Sequence, residues 1–256
     1  MTSSTSRPVA LVTGASKGIG RGIAVGLAQR GWDVVVNYAG DRAGAEETAQ
    51  RVRDAGGKAW TIQADVGFAD QVDRLFAAVA EEAGHVHTLV NNAGVQTWCK
   101  LLDLQEADFD RTIRTNLKGT LLCTQRAARQ MIGRGGVIIN IGSGANKAPF
   151  PNLVDYGASK GGIERLTAVS AVELGPHRIR VNCVAPGAIE IERTKHESAD
   201  YAGTWAPVTP LRRVGQVDDV ARAVAFLASD DADFITGQTV YVDGGLFTQT
   251  VWPYRD

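Results

Sequence analysis

The chain has 256 residues, 27 Lys and Arg against 28 Asp and Glu for a formal net charge of -1 at pH 7, and 44% hydrophobic against 21% charged residues. That length suits one α/β domain able to bury a large core; the composition excludes disorder, coiled coil and collagen, and scattered charges without a basic stripe argue against a nucleic-acid partner. Glycine alone is unusual, at 29 residues against a typical ~7% of a chain, which implies backbone positions that need tight turns or close approach.

The polar start, residues 1–7, reads as a flexible tail ahead of a single domain over 8–256. The apolar run Val9 to Val12 is too short for a signal segment or a membrane span. Val9 to Thr13 predicts a first strand and Gly18 to Arg30 a helix; strand Asp33 to Tyr38, helix Ala43 to Ala55, strand Lys58 to Gln63 and helix Ala69 to Ala83 follow. Then come strand Thr88 to Asn91, one long helix Glu106 to Ile132, strand Gly136 to Ile141, helix Asp155 to Leu174, strand Ile179 to Val184, helix Val217 to Ala228 and strand Thr239 to Val242. Strands alternating with helices predict a single-domain α/β fold of the Rossmann type, a doubly wound, seven-stranded parallel sheet flanked by helices. Gly31, Gly56, Gly84 and Gly175 sit where helices stop in the left-handed conformation. The charged stretch 188–210 lacks periodicity and predicts a substrate lid. Cys99, Cys123 and Cys183 are odd in number and far apart, and neither they nor His85, His87, His177 and His196 have metal-ligand spacing. No metal, no disulfide framework and no membrane partner are expected, and a cytoplasmic setting fits best. Trp98, Trp205 and Trp252 suit either a pocket lining or core packing.

The first strand runs into Thr13-Gly14-Ala15-Ser16-Lys17-Gly18-Ile19-Gly20 and then a helix. Glycines without Cβ atoms let backbone approach a pyrophosphate, and a helix N-terminus offers free N–H groups and a positive dipole end. The spacing is Gly-x-x-x-Gly-x-Gly, not the Gly-x-Gly-x-x-Gly fingerprint. The second strand ends Val36-Asn37-Tyr38 with no carboxylate to grip a ribose 2′-hydroxyl, while Lys17 and Arg42 flank the place where a 2′-phosphate would lie. NADP(H) is therefore the preferred cofactor; Asp41 keeps NAD(H) possible.

Tyr156-Gly157-Ala158-Ser159-Lys160 puts Tyr156 and Lys160 on one helical face, where a lysine ammonium favours the phenolate and the pair can exchange a proton with an alcohol or ketone oxygen. Ser143 follows the strand Ile138-Ile139-Asn140-Ile141, at the carboxyl end where open α/β sheets bind ligands. With Asn91-Asn92-Ala93-Gly94 and Pro186-Gly187 in order, the chain from Val9 to Gly245 resembles the short-chain dehydrogenase/reductase family. The resemblance implies that Ser143 orients the substrate oxygen, Tyr156 is the acid/base, Lys160 binds the nicotinamide ribose, and Asn116 holds a water in the proton relay. It implies a cofactor site of Gly14, Ser16, Lys17, Gly18, Ile19 and Gly20, with Asn37 and Tyr38, Asp65 and Val66 near the adenine, Asn92, Ala93 and Gly94, Tyr156 and Lys160, and Pro186, Gly187 and Ile189. The family usually carries Thr a few residues after Pro-Gly to bind the carboxamide; Ile191 stands in that place here, leaving backbone groups or a shifted Thr194.

Within the family, two kinds of relative compete. The segment Gly144 to Asp155, with Lys147, Pro149 and Pro151, and the Val-Asn-Tyr strand end resemble bacterial glucose 1-dehydrogenases, so a sugar or polyol is the leading substrate expectation. The alternative is a 3-oxoacyl carrier-protein reductase or other ketone reductase; a noncatalytic nucleotide sensor on the same fold is remote, given Ser143, Tyr156, Lys160 and Asn116. The family also implies a homotetramer, with Ile163, Leu166 and Val169 on a helix that pairs with its mate, and the aromatic tail Phe247, Trp252 and Tyr254 meeting another subunit.

Overall fold

The computed structural model describes residues 7–194 and 199–249. The expectations that rest on residues 1–6, His196, Trp252 and Tyr254 lie outside them. Seven strands, β1 (Val9–Val12), β2 (Asp33–Tyr38), β3 (Ala59–Gln63), β4 (Val86–Asn91), β5 (Gly136–Ile141), β6 (Ile179–Pro186) and β7 (Thr239–Val242), form one parallel sheet in the order β3-β2-β1-β4-β5-β6-β7. The helices are α1 (Gly18–Ala28), α2 (Arg42–Asp54), α3 (Ala69–Glu82), α4 (Glu106–Thr112), α5 (Gly119–Met131), α6 (Val154–Leu174), α7 (Tyr201–Trp205) and α8 (Val217–Ala228).

Alternation along each strand makes two cores. Ala10 and Val12 of β1 with Val137, Ile139 and Ile141 of β5 face the helices α1, α2 and α8, whereas Val9 and Leu11 with Ile138 face α3 and α5. Side chains alternate at a period of two, so an almost uninterrupted apolar strand fills both layers at once. Leu11, Ile23, Leu27, Leu75, Leu89 and Ile138 lose nearly all contact with water, each burial stabilising by about 1.5–3 kcal/mol. The α1 and α8 helices lie close because Gly22 and Gly26 carry no Cβ: one built on Gly22 would stand 2.7 Å from Val217 Cβ, and one on Gly26 2.8 Å from Ala221 Cβ.

Two expectations are corrected. The long helix from Glu106 to Ile132 is not continuous: it passes through a π-helical turn at Ile113–Lys118 between α4 and α5. Gly175 is right-handed, with φ -52°; the chain continues into a 3-10 turn at Gly175–His177 that carries Pro176, and the left-handed residue is Arg178, with φ +59°. Proline cannot donate to the preceding turn, so the tighter turn replaces the simple glycine stop. Gly31, Gly56 and Gly84 do take positive φ. No helix among the described residues is long and apolar enough to cross a membrane.

Candidate active site

The strand order reverses between β1 and β4, which opens a crevice at the carboxyl ends of the central strands. Six hydrogen bonds shape its floor. The Thr13 hydroxyl accepts from the backbone N–H of Asn92 (2.9 Å) and of Ala93 (3.0 Å), and the Asn92 side-chain amide donates to the carbonyls of Thr13 (2.9 Å) and Gly14 (3.0 Å). The Gly14 N–H donates to Asn37 Oδ1 at 3.3 Å, and the Ala15 N–H to the Asn37 carbonyl at 2.9 Å. The glycine turn is thus tied to β2 and β4 together. Gly14 and Gly18 sit at φ +60° and +55°, a region that L side chains rarely adopt. A Cβ on Gly14 would stand 2.8 Å from Ala93 Cα, and one on Gly20 2.5 Å from the Gly14 carbonyl oxygen. The cradle accepts only glycine.

Asn37 is buried, and its amide also donates to the carbonyls of Ile62 (3.2 Å) and Ala64 (3.1 Å). It holds the turn and the end of β3 from beneath. Tyr38 is likewise buried, in the α1/α2 core. Asp65 accepts the Gly67 N–H at 2.9 Å, and Val66 packs beneath α5 against Gly119. Lys17 is the exposed N-cap of α1 and Arg42 opens α2, and neither side chain has a hydrogen-bond or ion-pair partner among the described residues. Asp41, the one acid at this corner, caps α2 by accepting the Gly44 N–H at 3.0 Å. Ile19 packs on the α1 core and Gly94 lies beside Asn116. Arg21, one turn into α1, donates to the Ser16 carbonyl at 2.6 Å and pairs with Glu47 at 3.0 Å. Its guanidinium fixes the underside of the turn.

On the other side of the crevice, the Lys160 ammonium donates to the Ile141 carbonyl at 2.7 Å and stands 5.5 Å from the centre of the Tyr156 ring. Lys160 is buried while Tyr156 stays half-buried. Ser143 leaves β5 in extended conformation and caps a 3-10 turn, its Oγ accepting the Ala145 N–H at 3.2 Å. Asn116 lies in the π-helical turn. Its Oδ1 accepts from the Val95 N–H (2.8 Å), its Nδ2 donates to the Val95 carbonyl (2.9 Å) and to Ser159 Oγ (3.0 Å), and Ser159 in turn donates to the Tyr156 carbonyl at 2.7 Å. The side chain is a brace between the loop after β4 and the helix that carries the tyrosine. Its backbone carbonyl accepts from the Thr120 hydroxyl at 2.7 Å. Pro186 and Gly187 end β6, where a Cβ on Gly187 would stand 2.7 Å from Asp243 Cα.

The structure seats Ile191 over the glycine turn, its Cδ1 3.7 Å from where a Gly18 Cβ would be. Buried Thr194 turns its hydroxyl to the Ile191 backbone, accepting from N–H at 3.1 Å and donating to the carbonyl at 2.8 Å. Ile189 is buried and pairs with Gly215.

Several supporting residues carried no motif. Fully buried Asp155 accepts from the Thr112 hydroxyl at 2.6 Å and from the Tyr156 N–H at 2.7 Å, joining α4 to the start of α6. Below the crevice, Asn91 donates to Asn140 at 2.9 Å and to Thr124 at 3.1 Å, and Asn140 donates to Thr167 at 2.9 Å. The signal for this ladder is asparagine in the middle of apolar strands, which needs a partner once buried. Cys183 lies behind Gly142 and burial pushes its thiol up to about 11, so it stays neutral beside Lys160. The Phe247 ring packs on Gly144 and against Phe150 of the same chain.

The family model described as enoyl-(acyl carrier protein) reductase matches residues 14–247. The chain is 43% identical over 239 residues to the 3-oxoacyl-[acyl-carrier-protein] reductase FabG of Staphylococcus epidermidis, covering 93% of this chain and 98% of that protein. Among solved structures it resembles a short-chain type dehydrogenase/reductase from Mycobacterium marinum (TM-score 0.88, 36% identity, 93% and 95% of the two chains). It also resembles the angucycline C-6 ketoreductase LanV with bound NADP (TM-score 0.88, 36% identity, 94% and 96%).

Proposed function

We propose that this chain, which belongs to the short-chain dehydrogenase/reductase family and is an oxidoreductase, is an NADP(H)-preferring enzyme that interconverts a ketone and a secondary alcohol. The convergence of Ser143, Tyr156 and Lys160 on one crevice opposite a glycine cradle carries that reading. The residues fit a dinucleotide: the cradle has no room for a side chain at Gly14 or Gly20, a helix N-terminus opens onto it, and Lys17 and Arg42, without partners among the described residues, flank it in sequence. Gly14 to Gly20 would hold the pyrophosphate, Lys17 and Arg42 the 2′-phosphate, and Lys160 the nicotinamide ribose. When bound, the cofactor supplies or takes up a hydride. In reduction, Ser143 donates a hydrogen bond to the carbonyl oxygen, and Tyr156 gives that oxygen its phenolic proton as the carbon gains the hydride. In oxidation, the proton returns to the Tyr156 oxygen.

A ketone is favoured over a sugar because the chain is 43% identical over 239 residues to a 3-oxoacyl-[acyl-carrier-protein] reductase, whereas the sugar expectation rested on resemblance in the Gly144 to Asp155 segment and at the chain's strand end and C-terminus. The 188–210 segment belongs to this reading as the cover of the substrate, since its described part places Trp205 against Phe150 at 6.4 Å. Assembly as a homotetramer is also part of it. Val172 on α6 is 78% exposed and Phe234, just before β7, fully so, more apolar surface than a lone subunit normally leaves bare.

The test is a panel of 3-oxoacyl thioesters, simple ketones, aldoses and polyols, read as NADPH and NADH absorbance. Reduction of ketones with NADPH is the expected outcome. Turnover confined to aldoses or polyols would restore the sugar reading, and turnover of nothing would leave the family fold without this activity.

A further inference from the structure

The chain after β7 turns back on itself in a built way. Gly244 and Gly245 take φ +62° and +87°, and the Asp243 carboxylate accepts from the backbone N–H of Gly245 and of Phe247, each at 2.9 Å. The turn is also tied to the segment after α7, through the Leu211 N–H to the Gly244 carbonyl at 3.1 Å. Its product is the position of one ring. Phe247 lies flush on Gly144, the residue directly after Ser143, so that a Cβ on Gly144 would overlap the ring. Phe150 meets Phe247 edge to face, with centroids 5.8 Å apart and planes at 80°, and meets Trp205 at 6.4 Å and 72°. All three rings are only half-buried. Three separate segments, the loop after the catalytic serine, α7 and the C-terminal turn, thus bring aromatic side chains together beside Ser143.

We propose that Phe247, Phe150 and Trp205 form the wall that sets substrate choice, and that it selects ketones bearing a planar aromatic group next to the carbonyl. The inference rests on the reading of the crevice as a ketone site. Edge-to-face aromatic contact is favourable beyond the area it buries, and the Phe247 and Phe150 rings have no hydrogen-bonding groups to match the hydroxyls of a sugar. Gly144 has its own reason to lack a side chain: any Cβ there would push Phe247 off the serine loop.

The enzyme saturated with NADP is titrated with 2-acetonaphthone and with its fully saturated counterpart, by calorimetry. The aromatic ketone should bind about tenfold more tightly than the saturated one. Phe247→Ala and Trp205→Ala should each remove most of that ratio, and Gly144→Ala should shrink it by displacing Phe247. Phe247→Leu, which keeps apolar volume, serves where the alanine variant does not fold, and should also reduce the ratio. Equal binding of the two ketones to the unaltered enzyme, or a ratio that survives both wall substitutions, overturns the proposal. NADPH consumption with the same ketones is measured separately. Its absence sinks the ketone-reductase reading, whereas the binding ratio judges the wall.

Discussion

At the scale of single residues, the site separates groups that face the crevice from groups that hold them. In the proposed reaction Tyr156 passes the proton to the substrate oxygen, so Tyr156→Phe should lower kcat by about a hundredfold to ten-thousandfold. NADP affinity should stay within about twofold, because the ring and Lys160 remain. A variant with near-native kcat would displace Tyr156 from the acid/base role. Lys17 and Arg42 have no partner among the described residues, and Asp41 is engaged with α2. Lys17→Glu should therefore weaken NADP about ten- to a hundredfold more than NAD, the worth of a charge-assisted bond to the 2′-phosphate. Parallel binding titrations with both dinucleotides decide this, and equal losses would place the phosphate elsewhere. Asn37, Asn92 and Asn116 were expected to serve the cofactor or the proton relay. Their side-chain amide N–H groups all donate within the protein, to backbone carbonyls and, for Asn116, also to the Ser159 hydroxyl, so they also fix the elements around the crevice.

At the scale of elements, buried polar contacts carry the alignment of helices with strands. Asn140 on β5 links Asn91 on β4 to Thr167 on α6. Asn140→Leu would leave one N–H of the Asn91 amide unpaired in the core at about 1–3 kcal/mol, while the Thr167 hydroxyl keeps its bond to the Ile163 carbonyl. Urea titration should find that loss, together with a lower kcat as α6 shifts under Tyr156; unchanged stability would mean the ladder is dispensable. The start of α8 supplies a pH signature. Asp219 receives two hydrogen bonds from Arg213, at 2.6 and 2.8 Å, and the Gln216 N–H at 2.8 Å. The Arg213 hydrogen bonds, foremost among the causes, hold its carboxyl down at about 2. Because the folded pKa lies below the unfolded one, this cap stabilises above roughly pH 4. Its contribution fades as pH falls toward 2. Asp219→Asn should therefore be less stable than the native chain at pH 7, with a gap that narrows at pH 3. A gap independent of pH would show that the charge is not what matters. Solvent at this exposed pair keeps the effect small.

For the whole molecule, the parallel sheet buries both faces and leaves apolar surface along α6 and near β7. Val172 and Val169 lie exposed on α6, and a charge there should disfavour the assembly proposed above. Val172→Glu should lower the mass seen by light scattering while circular dichroism stays native; an undisturbed mass would remove α6 from the interface. The Asp243 turn sets the Phe247 ring against Phe150 of its own chain.

The strands, most helices, the glycine cradle and the Tyr156, Lys160 and Ser143 trio were legible in the sequence because they obey local rules. Apolar runs of strand length, glycine at positive φ and a four-residue helical spacing are all set within a few residues. The π-helical turn was not legible: its cause is the fit of Asn116 between Val95 and Ser159, partners 21 and 43 residues away. Likewise, nothing local marks Asp155 as the link to Thr112, or Gly144 as the seat of a ring more than a hundred residues later. Sequence alone determined which chemistry the chain carries and at which end of the sheet. Tertiary structure decided which polar groups are free to meet a ligand and which are consumed in holding the site, because a side chain's remaining hydrogen-bonding capacity depends on neighbours that only folding brings within reach.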